Sequence, residues 1–292
     1  MIHEGNRVLD VLIIGAGFSG ICLGKRLLDE GIRNFRIADK APKAGGTWYW
    51  NSYPGAACDV QSHFYSFSFE PNPDWSRKYS PWHEIQAYAE HCVDTFGLGP
   101  HIDAGKEVEQ SRFVDDSGLW EVSFRDGSRQ LTRHVIDGTG GLHVPLIPQF
   151  EGAESFQGER WHSSLWRHDV DLSGKRVAVI GSAASAVQIV PAIAQTAAQV
   201  NLFQRTANWI IPRHDRAYHG FEKWVFRHVP LVNKLYRLFL FLRYDWLAYP
   251  IVKTGRDNLA RRWAGSQFRR LLNRGVKDPA LRAKLTPDFP LG

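Results

Sequence analysis

Cysteine is scarce in this sequence, and so are acids after Arg213 and apolar runs of membrane length. Cys22, Cys58 and Cys92 are the three cysteines among 292 residues, and no two stand at CxxC spacing. A disulfide framework and a dithiol redox centre are thereby excluded, and free thiols suit a reducing compartment. Met1–Asp10 has no cationic stretch leading into an apolar run of signal-peptide form, so a cytoplasmic protein is expected. Val8–Ile14 is apolar but short and ends in a glycine turn, and Leu238–Leu242 is hemmed by Arg237, Arg243 and Asp245. Neither approaches the roughly 20 residues that a bilayer span needs. From Arg213 to Gly292 there are 17 Lys and Arg against 6 Asp and Glu, a surplus larger than the net +6 of the whole chain. Such a basic segment suits nucleic acid, an anionic membrane surface or the neighbourhood of a phosphate-bearing cofactor. No recognition module accompanies the charge, so no nucleic-acid partner is expected, while weak contact with a membrane surface stays open.

What is present begins at Val8. Val8-Leu-Asp-Val-Leu-Ile-Ile14 reads as a buried parallel strand; Gly15-Ala-Gly-Phe-Ser-Gly20 follows at once, then apolar residues at helical spacing from Ile21 to Glu30. Gly31 stops that helix, and the next strand, Phe35–Asp39, ends in an acid. This is the dinucleotide fingerprint in its full setting. Gly15 makes the tight turn, Gly17 lets the backbone approach a pyrophosphate, and Gly20 allows close packing of helix on strand. Asp39 can accept hydrogen bonds from a ribose 2′-hydroxyl and would repel a 2′-phosphate, which favours FAD or NAD(H) over NADP(H).

A second strand–turn–helix follows at Lys175-Arg-Val-Ala-Val-Ile180 and Gly181-Ser-Ala-Ala-Ser-Ala186. One glycine of three survives; Ala186 costs little at the last position, whereas the methyl of Ala183 points where a pyrophosphate should come close. The strand after it, Val200–Gln204, ends in Arg205 and Thr206 rather than an acid. A cation and a hydroxyl there suit a 2′-phosphate, with a plain surface arginine as the alternative.

Between the two turns, Phe156-Gln-Gly158-Glu-Arg-Trp-His162-Ser-Ser-Leu-Trp166 reads FxGxxxHxxxW. Together with Gly45-Gly-Thr-Trp-Tyr-Trp-Asn51, Tyr53-Pro-Gly-Ala-Ala-Cys-Asp59, Gly138-Thr-Gly-Gly141 and Phe203-Gln-Arg-Thr206, it makes the chain resemble the Baeyer–Villiger monooxygenases, class B flavoprotein monooxygenases, along essentially its whole length. The resemblance implies an oxygenase with two cofactors. NADPH reduces FAD, reduced flavin captures O2 as a C4a-peroxyflavin, and one oxygen atom enters a small hydrophobic ketone to give an ester or lactone. It implies that Asp59 is the active-site aspartate and that His162 lies in a linker coupling movement of the NADP domain to catalysis. FAD contacts are implied for Gly15, Gly17, Phe18, Ser19, Gly20, Asp39, Lys40, Gly46, Thr47, Trp48 and Asp59. NADPH contacts are implied for Gly181, Ser182, Ala183, Ser185, Ala186, Arg205 and Thr206. No metal site is read. Trp48, Tyr49, Trp50 and Tyr53 are rigid enough to wall a flavin and exclude water, or equally to form core.

Two departures keep alternatives open. Ala183 replaces the family's middle glycine, and Ala57 stands where many ketone-oxidising members carry arginine, so an N- or S-oxidising flavin monooxygenase is the runner-up. Longer members carry a flavin-side arginine just beyond the position of Gly292, so a catalytically incompetent nucleotide-binding fragment is the other reading. The expected fold is α/β, with two dinucleotide-binding (Rossmann-like) domains and a helical insertion, incomplete at the C-terminus. Its expected parts are a partial FAD-binding domain over 1–150, a linker and the start of the NADP-binding domain over 151–212, and a helical, basic cap over 213–292. Within that cap, helices are predicted over Phe221–Val229, Leu231–Leu247 and Leu259–Arg282, punctuated by Pro230 and Pro250. Oligomeric state stays open.

Overall fold

The computed structural model describes residues 8–142, 144–252 and 258–291; residues 1–7 of the N-terminal stretch read above, and Gly292, lie outside them. The chain forms two compact units, Met1–Tyr53 with Trp82–Arg167, and Pro54–Pro81 with His168–Gly292.

The first unit is built on β1 (Leu9–Ile14), α1 (Phe18–Asp29) and β2 (Phe35–Asp39). β1 and β2 run parallel, pairing Ile13 with Ile37 and Ile14 with Ala38. Both are apolar on both faces because α1 covers one side of the sheet: Leu12, Ile13, Ile21, Phe35 and Ile37 are all fully buried. Each such side chain contributes roughly 1.5–3 kcal/mol of hydrophobic stabilisation. α2 (Thr47–Trp50) and α3 (Trp82–Thr95) precede β3 (Ile102–Ala104), β4 (Val108–Val114), β5 (Leu119–Phe124) and β6 (Arg129–Asp137). The sheet order is β3-β2-β1-β6-β5-β4, with β6 parallel to β1 and β5 antiparallel to both its neighbours, β6 and β4. Sequence reading did not anticipate this antiparallel half. Its signal is turn chemistry: Gly118 and Gly127 adopt positive φ between the strands, and Asp126 Oδ1 accepts from the Ser128 amide at 3.0 Å.

The second unit repeats the strand–helix–strand motif as β7 (Arg176–Ile180), α4 (Ala184–Ile193) and β8 (Gln199–Phe203), a parallel pair that forms a sheet of two strands. Ile180, Leu202 and Phe203 on this ladder are exposed. Beyond it come α5 (Gly220–His228), α6 (Pro230–Arg243), a π-helical turn at Tyr244–Ala248, α7 (Tyr249–Val252), α8 (Leu259–Gly275) and α9 (Pro279–Lys284). Two expectations need correction. Pro250 lies inside α7 instead of ending a helix. The helix predicted over Leu259–Arg282 is two helices, because Val276 turns extended and Asp278 starts anew: its side chain accepts from the Ala280 amide at 2.9 Å, with Pro279 in the first turn. Among the described residues no helix is long and apolar enough to cross a membrane.

Segment Pro54–Pro81 folds back on itself through Cys58 N to Ser80 O and Ser62 N to Lys78 O, at 3.0 and 2.7 Å. Inside it His63 is 2% exposed, ringed by Tyr218, Phe226 and Tyr236. Burial pushes its imidazole down to about 4, with Arg237 adding to the effect and Asn233 and Glu222 opposing it. An unfolded histidine titrates near 6.5, so between the two values the unfolded chain binds a proton that the folded one refuses. Stability from this group is therefore complete above pH 6.5 and is lost as pH falls toward 4, at roughly 1.4 kcal/mol per pH unit. We expect urea titrations at pH 7, 5.5 and 4.5 to show this slope and His63→Phe to flatten it; equal slopes for both proteins would assign it to other groups.

Candidate functional site

At the end of β1, no side chain caps the N-terminus of α1, so its first-turn amides stay open to an anion. Two glycines shape the approach. A Cβ at Gly20 would lie far inside van der Waals contact with the Gly15 carbonyl oxygen, a backbone atom that cannot swing away. Gly46 has φ +57°, and a Cβ there would sit 2.8 Å from Gly17 Cα. The Gly45–Gly46 corner is thus laid against the glycine turn, with Gly45 N donating to Ala16 O at 3.0 Å. Asp39, 8% exposed at the end of β2, accepts from Ala16 N (2.6 Å) and Ala41 N (2.8 Å). It fixes the turn to the strand, and each oxygen keeps a further lone pair for a hydroxyl donor.

Around this corner Phe18 approaches the Tyr88 ring at 6.0 Å, Ser19 is exposed on α1, and Lys40 lies over the Trp50 ring at 5.2 Å. Thr47 opens α2, and Trp48 and Tyr53 are buried. Gln86 was not legible as a site residue: its Nε2 donates to Ala44 O at 2.6 Å, and its amide fills the space a Cβ at Gly45 would need.

The second turn has its own hydrogen-bonded frame. Gly181 N donates to Phe203 O at 2.8 Å, and Ser182 Oγ donates to Thr206 O at 3.3 Å. Asn208 Nδ2 donates to both oxygens of Ser182, at 2.7 Å to the carbonyl and 2.9 Å to Oγ. Asn208, two residues past Thr206, is thus a second residue that sequence reading missed. No side chain caps α4. Ala186 is buried, Ser185 is half-buried, and Ala183 is exposed with its methyl at the middle-glycine position. Arg205 and Thr206 are exposed just beyond β8, and none of the ion pairs among the described residues uses Arg205.

Asp59 and His162 are carried by different units. Asp59 is exposed on a loop of the second unit, whose flanks are held by Cys58 N on Ser80 O and by Arg213 Nη1 on Cys58 O at 3.3 Å. Burial pushes the neighbouring Cys58 thiol up to about 12, which leaves it inert. His162 caps the short turn Ser163–Leu165: its Nδ1 accepts from Ser164 N at 3.2 Å and lies 2.8 Å from Ser164 Oγ, beside the edge-to-face pair Trp161–Trp166.

The donor sets fit two nucleotides. The first corner has open amides, a glycine cradle and a carboxylate for a ribose, as FAD requires; the second has open amides and an unengaged cation, as a 2′-phosphate requires. Two βα turns of this kind, each opening an α-helix from a parallel strand, define an α/β dinucleotide-binding protein.

Residues 9–235 match the flavin-binding monooxygenase-like family, and the chain belongs to it. It is 43% identical over 297 residues to a Baeyer–Villiger monooxygenase of Streptomyces coelicolor, covering 100% of this chain and 55% of that protein. Among solved structures it resembles an open crystal structure of cyclohexanone monooxygenase (TM-score 0.83, 29% identity, 98% of this chain and 63% of that one). It also resembles a structure described as OTEMO complex with FAD and NADP (TM-score 0.83, 27% identity, 97% of this chain and 61% of that one). The chain spans about half the length of the curated relatives it matches.

Proposed function

We propose that this chain supplies the FAD- and NADPH-binding parts of a flavoprotein monooxygenase that uses O2 to place one oxygen atom in a ketone. The observation that carries the reading is the contrast between the two turns: a buried carboxylate, Asp39, ends the second strand of the first, and an exposed cation, Arg205, ends that of the second. Bound FAD supplies hydride acceptance and oxygen activation. The chain's residues bind and orient the cofactors: Asp39 orients a ribose, the α1 amides hold a pyrophosphate, and Arg205 and Thr206 select the phosphorylated nicotinamide cofactor. Asp59 is the active-site aspartate that the family likeness implies, and His162 shapes the linker turn.

We expect Arg205→Ala to weaken NADPH binding by about 10- to 150-fold, the equivalent of the roughly 1.5–3 kcal/mol carried by a hydrogen bond to a charged group. NADH binding should change little, because it has no 2′-phosphate. Titration of both cofactors checks this, and equal losses would reject the assignment. Ala57, in place of an arginine, favours testing heteroatom donors beside ketones. Products from a panel of cyclic ketones, amines and a sulfide, with FAD, NADPH and O2, separate ester formation from N- or S-oxidation.

A further inference from the structure

We propose that Gln188 holds the Asp59-bearing loop to the helix of the second glycine turn, so that this loop senses the turn's occupancy. The inference rests on the nucleotide reading of that turn and gives Asp59 a positioning residue. Gln188 lies on α4, four residues and about 6 Å along the axis from its first residue, Ala184. Its side-chain amide pairs with the main chain of Ala57 at two points. Ala57 N donates to Gln188 Oε1 at 3.2 Å, and Gln188 Nε2 donates to Ala57 O at 2.9 Å.

The same helix packs against Gly55. With φ +79°, a Cβ at Gly55 would lie 2.5 Å from the Gln188 carbonyl oxygen and 3.3 Å from Ala192 Cβ, so loop and helix touch backbone to backbone. Ala57 also makes an antiparallel bridge to Pro81, next to the Cys58–Ser80 bond. Asp59 itself is exposed, and no hydrogen bond among those of the described residues reaches its carboxylate. Its direction is therefore set by the chain just before it, at Ala57 and Cys58. Gln188 lies about one turn from the N-terminus of α4, ahead of Pro191, so a displacement of that turn when phosphates bind there is passed along the helix to Gln188 and on to Ala57. This two-point amide pair is a direct polar link from α4 to that loop.

Hydrogen exchange on the full chain tests the link without depending on turnover. The Ala57 amide is read as a protection factor in the native protein, Gln188→Leu and Gln188→Glu, at pH 4.5 and 7.5, with and without NADP+. Gln188→Leu should lower protection at Ala57 at least tenfold and leave β7 and β8 unchanged. Gln188→Glu should keep more of it at pH 4.5, where the carboxyl is in part protonated and can both donate and accept, than at pH 7.5, where the carboxylate repels the Ala57 carbonyl and strains the pair. A merely space-filling role would not produce that pH dependence. NADP+ should slow exchange at Ala57 and Cys58 in the native chain and not in Gln188→Leu. Native protection in Gln188→Leu, a pH-independent Gln188→Glu, or NADP+ that binds by calorimetry without altering Ala57 overturns the proposal. Absence of any binding heat overturns the nucleotide reading and the sensing together, with the pH arm still deciding whether the clamp exists.

Discussion

Gly20→Ala is expected to leave a protein that no longer retains FAD, with its affinity lowered on the order of 100-fold, or about 2.7 kcal/mol. The added methyl would overlap the Gly15 carbonyl oxygen, and that oxygen belongs to the turn whose amides are to meet the pyrophosphate. Overpacking usually costs about 1–3 kcal/mol when side chains can yield. Here relief requires α1 to lift away from β1, and the cradle opens with it. Gly24→Ala is the matched control, because its methyl would meet side chains and no backbone: the ends of Ile37 and Leu98 at 2.9 Å and the Phe35 ring at 3.5 Å. Flavin absorbance after desalting, read beside circular dichroism, checks both. A yellow, native-affinity Gly20→Ala protein would remove Gly15–Gly20 from the FAD site.

Asp59→Ala should depress oxygenation on the order of 10²–10³ while FAD binding stays within a few-fold, a scale set by loss of one preorganised charge-stabilising group. The exposed carboxylate is not part of any core, so folding should be unaffected. Asp59→Asn, which keeps shape and hydrogen-bonding capacity but removes charge, should fall between. Product yield per NADPH consumed is the readout that matters, because uncoupled oxidation would keep NADPH turning over. Undiminished yield in Asp59→Ala would end its catalytic assignment.

Much of the first unit is legible in one dimension because its signals are local. The apolar run before Gly15, the glycine spacing and the acid at Asp39 each follow from a strand or turn only a few residues long. The antiparallel strands β4, β5 and β6 escaped because β4 is mostly exposed and lacks the apolar run that marked β1. The break between α8 and α9 was written at Asp278-Pro279 but was outweighed by the helix-forming arginines around it. Residues that frame the turns were harder still. Gln86, Gln188 and Asn208 act through side-chain amides on main-chain partners up to 131 residues away, and nothing in their own neighbourhoods marks them. By contrast Arg205 was singled out because the end of a second strand is a position with a chemical meaning.

The two-stranded ladder of the second unit has no interior strand, so each strand offers one hydrogen-bonding edge without a partner in that sheet. The turn at 181–186 and Arg205 stand at the ends of β7 and β8, so a nicotinamide cofactor bound there would hold the two strands in their paired, closed form. At a cofactor concentration a hundred times its dissociation constant, binding would add about 2.7 kcal/mol to the closed form. With the cofactor assignment proposed above, either redox form would close the ladder, because both carry the 2′-phosphate that Arg205 faces.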